Sequence, residues 1–138
     1  MGSFSHGTLR IDAIQRFHAK LSFTRLTIEK LGKELNVECS HSNAIVKQAS
    51  DQLESIEMKG SFSNLNVGLH PNLSTSIDTD LGFGHGFGHL YVSDKHKVRY
   101  SVLTNDDGHK REKRKGTIGG QPTASIVVSG EYGDVKIE

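Results

Sequence analysis

The chain has 138 residues, with 17 Lys and Arg against 16 Asp and Glu, 15 Gly, 2 Pro and no Trp. That length suits one domain, and the near-neutral balance gives no reason to expect a polyanion such as DNA as partner. No apolar run reaches the length of a membrane span, no apolar secretory stretch follows Met1, and the single Cys39 excludes an intrachain disulfide and a Cys-based zinc site.

Two short segments, Ile11 to Phe17 and Gln48 to Glu54, have apolar spacing that permits a brief helix. Most other segments alternate apolar and polar residues, the period of a strand. Phe17, Ala19, Leu21 and Phe23 alternate with polar residues; Thr24-Arg25 follows, then Leu26-Thr27-Ile28 with its apolar parity switched by one. The same grammar recurs in Leu35, Val37, Cys39 and His41, followed by Ser42-Asn43 and Ala44-Ile45-Val46. It recurs in Ile56, Met58, Gly60 and Phe62, followed by Ser63-Asn64 and Leu65-Asn66-Val67. A last copy is Ile126, Val128, Gly130 and Tyr132, followed by Gly133-Asp134 and Val135-Lys136-Ile137.

Phe23 and His41 are 18 residues apart, and His41 and Phe62 are 21 apart. Fainter copies put Phe4 at 19 residues before Phe23 and Phe83 at 21 after Phe62. A repeat of roughly 20 residues is one coil of a β-solenoid, too small to hide its apolar side alone. Stacking coils about 4.8 Å apart covers the interior and lays like residue over like. Phe23, His41, Phe62 and Tyr132 then form one column, with the left-handed corner geometry assigned to Asn43, Asn64 and Asp134. The alternative all-β arrangement is an antiparallel sandwich with regular turns.

Residues 71–122 are less regular. Strands are expected at Ser74 to Asp80, Leu90 to Val92 and Lys97 to Leu103, with a turn at Asn105-Asp106-Asp107-Gly108 and a charged hairpin tip from His109 to Lys115.

The segments Gly60 to Val67, Gly116 to Gly120 and Ala124 to Ile137 resemble the putative-adhesin family of bacterial cell-envelope proteins, relatives of head-GIN β-helix domains. The resemblance implies a right-handed, single-stranded β-helix and export to the periplasm or cell surface. It implies no enzymatic activity, so no functional residue is carried over. The chain is then expected to be one β-solenoid domain over 1–138, the C-terminal part of a longer protein.

The candidate chemistry is sparse. His85 and His89 sit in Gly82-Phe83-Gly84-His85-Gly86-Phe87-Gly88-His89 at the spacing of two helical metal ligands, but the glycines disfavour a helix. On a strand the rings stand roughly 13 Å apart, too far for one ion. Asp78 and Asp80 share one strand face and offer either a paired-carboxylate site or a solvated edge. Lys110, Arg111, Lys113, Arg114 and Lys115 form a candidate anion-binding loop, with Lys95-His96-Lys97 as a smaller basic turn. His41 reads as a column member rather than a general base, and Cys39 as a small buried hydrophobe.

No cofactor or catalytic set is expected. The expected function is a non-catalytic interaction module of the cell envelope. Its partners are a protein or polysaccharide, or a second copy joined through end coils. The last strand, Val135 to Ile137, is expected to need capping by a neighbouring chain or the preceding loop. The alternatives are a polysaccharide-acting enzyme using Asp78 and Asp80, and a small metal module using His85 and His89.

Overall fold

The computed structural model describes residues 2–70, 72–82, 90–93, 98–106, 111–131 and 134–138. Every regular element among them is a β-strand: β1 (Gly2–Ser40), β2 (Asn43–Ala49), β3 (Ser55–Ser61), β4 (Asn64–Val67), β5 (Thr75–Gly82), β6 (Leu90–Val92), β7 (Val98–Asp106), β8 (Arg111–Ile118), β9 (Ala124–Glu131) and β10 (Val135–Ile137). The two segments with helical spacing are not helices. Ile11 to Phe17 lies inside β1, and Gln48 to Glu54 covers the end of β2 and a turn. Two of this segment's donors go to another part of the chain: Ser50 N–H to the Leu31 carbonyl at 2.9 Å and Glu54 N–H to that of Lys33 at 2.7 Å. Seven residues are too few to nucleate a helix against such competition.

Pairing is mostly parallel and in register between equivalent repeat positions. Leu26 faces Ala44 and Ile28 faces Val46; Leu35 faces Ile56 and Val37 faces Met58; Ala44 faces Leu65. These registers are not those of an antiparallel sandwich. The reason lies in the apolar pattern, since a one-residue slip would turn every buried side chain outward. Leu26, Ile28, Leu35, Ile56, Leu65 and Ile126 are fully buried in one continuous core. Each contributes about 1.5–3 kcal/mol of apolar burial.

The parity switch has a definite local cause. Ala19 and Leu21 point inward before Phe23, whereas Thr24, Leu26 and Ile28 point inward after it. Phe23 has φ 47°, and His41 and Phe62 repeat the device at 51° and 52°. One residue in the left-handed region turns the strand and shifts its face by one position. The left-handed residues are therefore the aromatics and histidines themselves, not the Asn and Asp positions that follow them.

Chain order and stacking order differ near the C terminus. β9 lies between β3 and β5, and β10 lies between β4 and β6. The last strand is thus covered on both edges by its own chain, so of the two expected caps the intrachain one is found and a neighbouring chain is not needed there. The reason is that residues 124–137 carry the same inward spacing as β3 and β4, so they fit beside them. Gly130 allows a close approach of β9 to β3, because a Cβ there would stand 2.4 Å from the Gly60 carbonyl oxygen.

The region 71–122 follows another rule. β5 pairs antiparallel with β8, and β8 antiparallel with β7. From Arg111 onward the charged run is accordingly not a hairpin tip. Arg111 to Lys115 forms the first part of β8, opposite Gly82 to Asp78.

Candidate functional site

A regular surface feature is the corner where the parity switches occur. His6, Phe23, His41 and Phe62 stack face to face, with centroid distances of 5.1, 4.9 and 5.0 Å and interplanar angles of 8°, 5° and 8°. Phe23, His41 and Phe62 are vertical neighbours, as their spacing predicts. The first member is His6 rather than Phe4, because His6 carries the positive φ of 60° that makes the corner. Tyr132 lies outside the described residues. Phe23 and Phe62 are each 54% exposed.

Two polar columns lock this corner from behind. Phe23, His41 and Phe62 are each followed by a buried hydroxyl: Thr24, Ser42 and Ser63. Ser42 Oγ accepts from Thr24 N–H at 3.1 Å and donates to the Ser40 carbonyl at 3.0 Å. Ser63 Oγ repeats both bonds, accepting from Ser42 N–H at 3.1 Å and donating to the Ser61 carbonyl at 3.0 Å. The corner breaks the regular ladder, and these hydroxyls satisfy the backbone groups it would otherwise strand. One position further, Asn64 Nδ2 donates to Asn43 Oδ1 at 3.2 Å, and Asp134 N–H donates to Asn64 Oδ1 at 2.9 Å. The Asn and Asp positions therefore serve as an amide ladder.

Charged side chains also bridge successive repeats. Glu29 accepts Arg10 at 2.7 Å and Lys47 at 3.4 Å. Arg16 reaches Glu34 at 2.7 Å and Glu54 at 2.9 Å, while His18 stands 3.1 Å from Glu34. The hydrogen bond from Arg16 holds the Glu34 carboxyl below its ordinary range, and the same bond raises Arg16.

The other candidates separate. Asp78 and Asp80 alternate with buried Ile77, Thr79 and Leu81 and so occupy the outer face of β5. Asp78 is 3.8 Å from Lys115, and Asp80 is in register with Lys113. They form a cross-strand charge ladder rather than a pair of acids facing a cleft. The basic run splits in the same way. Lys113 and Lys115 are exposed, while Arg114 is half-buried opposite Thr79. Arg111 opens β8, so the candidate anion loop is in large part a paired strand, and Lys110 lies outside the described residues. His85, His89 and the turn Lys95-His96-Lys97 also lie outside them. No group of three or more metal-ligating side chains occurs among the described residues.

Cys39 is buried, and desolvation pushes its thiol up to about 12. Such a thiol is a poor nucleophile at neutral pH.

One feature had no sequence signal. A cleft of about 560 Å³ opens beside the first repeat, with Ile14 and Leu31 among its apolar lining and Gln15, Lys33, Asp51 and His70 among its polar groups. Its residues come from separate repeats and share no motif; only the stacking brings them together.

No protein-family model and no curated protein matches this chain. A solved structure does: a putative cell adhesion protein from Clostridium sporogenes, at TM-score 0.53 and 12% identity, covering 99% of this chain and 90% of that one. At that identity the likeness concerns the fold.

Proposed function

We propose that this chain is a non-catalytic, adhesin-like interaction module of the cell envelope. In this reading it is a right-handed single-stranded β-helix whose contact surface is the stacked corner of His6, Phe23, His41 and Phe62. The observation that carries the reading is the coincidence of backbone cost and exposure in that column. A non-glycine residue in the left-handed region costs roughly 1–2 kcal/mol, and Asn or Gly would turn the corner more cheaply. An aromatic stack returns about 0.5–1.5 kcal/mol per pair. The column therefore adds little net stability, yet it keeps two half-exposed Phe rings on a rigid edge.

The ring orientation supports a protein partner in this reading. Within the column each ring face is covered by the next, so the edges point outward. A sugar ring seeks an aromatic face, whereas an apolar groove on a protein accepts a ridge of ring edges. The resemblance of the repeats to envelope adhesins and the likeness to a putative cell adhesion protein support the adhesin-like part of this reading.

The test is adhesion of protein-coated beads to a panel of immobilised extracellular-matrix proteins and polysaccharides. The double variant Phe23→Asn/Phe62→Asn keeps a residue suited to positive φ while removing the ridge. We expect binding to a protein surface to be lost with the melting temperature largely retained. Adhesion by the variant equal to that of the parent would overturn the reading, as would turnover of any polysaccharide in the panel.

A further inference from the structure

Many charged side chains on the outer surface are committed to one another: Arg10 and Lys47 to Glu29, Arg16 to Glu34 and Glu54, Lys20 to Glu38, and Lys115 to Asp78. The cleft of about 560 Å³ departs from that habit. Lys30, Lys33 and Asp51 on its walls are exposed and make no ion pair among the described residues. The carboxamides of Gln15, Gln48 and Gln52 line it too, and they make no hydrogen bond among the described residues. Three of the four walls, 30–33, 48–52 and His70, belong to inner repeats, so the cleft spans successive layers rather than sitting on the outermost one.

The backbone holds these walls in place. Ser50 N–H donates to the Leu31 carbonyl, Glu54 N–H to that of Lys33, Leu53 N–H to that of Ser50 at 3.2 Å, and Gln52 N–H to Ser50 Oγ at 2.9 Å. Ser50 Oγ in turn donates to the Gly32 carbonyl at 2.8 Å. A Cβ at position 32 would overlap the Gln15 carboxamide, so the missing side chain of Gly32 is the room that amide occupies. His70 Nδ1 accepts from Asn72 N–H at 3.1 Å, which places the neutral ring's proton on Nε2.

These groups define a ligand. With four backbone donors of the 50–54 wall engaged, recognition falls to side chains. A carboxamide offers a donor and an acceptor together, which matches a hydroxyl group, itself both. Sulfate only accepts, and the amide oxygens and Asp51 would oppose it. Two lysines against one aspartate suit a single carboxylate, and Ile14 and Leu31 give an apolar patch for the C–H face of a ring. The volume lies within the range of roughly 300–1,000 Å³ that small-molecule sites occupy. From these observations we infer that the cleft binds a sugar acid, a polyhydroxylated ring bearing one carboxylate. Lys30 and Lys33 are its carboxylate partners, and the glutamines with Asp51 take the hydroxyls. The site shares no residue with the ring column and does not depend on the function proposed for it.

Calorimetry and amide chemical-shift mapping with D-glucuronate, D-glucose, acetate and sulfate as probes test the inference. Glucuronate is expected to bind at least about tenfold more tightly than the other three, with shifts centred on 30–33, 48–52 and His70. Lys30→Gln combined with Lys33→Gln alters exposed side chains only and is expected to bring glucuronate down to the level of glucose. Gly32→Ala displaces the Gln15 amide and is expected to weaken glucuronate and glucose together, with circular dichroism to confirm the fold. Gln52→Ala gives the same readout from the facing wall without touching the backbone. An absence of saturable glucuronate binding, sulfate binding as tightly as glucuronate, shifts centred away from the cleft, or a double lysine variant equal to the parent would each overturn it.

Discussion

The stacked repeats and the β5–β8–β7 region are both built from paired strands with buried inner faces, but they recognise their neighbours by opposite rules. In the parallel stack, equal meets equal: Leu35 lies beside Ile56, Ser42 above Ser63, Asn43 beside Asn64. In the antiparallel region, complement meets complement: Asp78 lies against Lys115 and Asp80 against Lys113. A parallel register between repeats is legible as repetition, because the same side chain must suit the same place in each layer. An antiparallel register reverses one strand, so its partner shares no motif with it and only the charges betray the match.

The comparison can be broken most forcefully in the core. Ile56 is fully covered within the stack, and Ile56→Ala is expected to lower unfolding stability by about 2–5 kcal/mol. Val98 on β7 is only partly buried, and Val98→Ala is expected to cost about 1 kcal/mol or less. Urea unfolding of both variants checks the pair; equal losses would mean that the antiparallel region is packed as firmly as the stack.

A smaller effect separates the hydroxyl column of the corner from the cross-strand ion pairs of β5 and β8. Ser42→Ala strands the Thr24 N–H in a buried setting and should cost about 1–3 kcal/mol in the same urea titration. This exceeds what a surface ion pair such as Asp78–Lys115 contributes, about 0–1 kcal/mol.

The least effect concerns acid. Glu34 has its folded-state affinity for protons reduced by Arg16, so its contribution is present above the ordinary carboxylate range and is lost as pH falls through the lowered folded value. Glu34→Gln should flatten the acid side of a melting-temperature profile and leave the neutral side nearly unchanged. A profile identical to that of the parent below the carboxylate range would remove this inter-repeat ladder from the account of acid stability.

Within the candidate site, the column of Phe23, His41 and Phe62 was readable from spacing, because aromatic residues ended each alternating run. His6 was missed because Phe4, the larger ring, stood closer to the expected interval. The left-handed geometry was misassigned to Asn43, Asn64 and Asp134 because those residue types tolerate it well. The stack reverses the preference by giving the corner rings a partner each and the amides a hydrogen-bond ladder. The cleft beside Ile14 and Gln15 was invisible, since its walls come from four stretches of chain.

What the sequence determined by itself was periodicity: an inward face for each alternating run, a corner at every parity switch and a common place for like residues. Those properties are local, set by alternation over a few neighbours. What only the tertiary structure decided was order. The last repeat enters between β4 and β6 rather than at the end, and the basic run lies against the acids of β5. Repeats with equivalent inward faces can exchange places in a stack without altering any local pattern. Their sequence is therefore settled only by which long-range pairings cover the most apolar surface together.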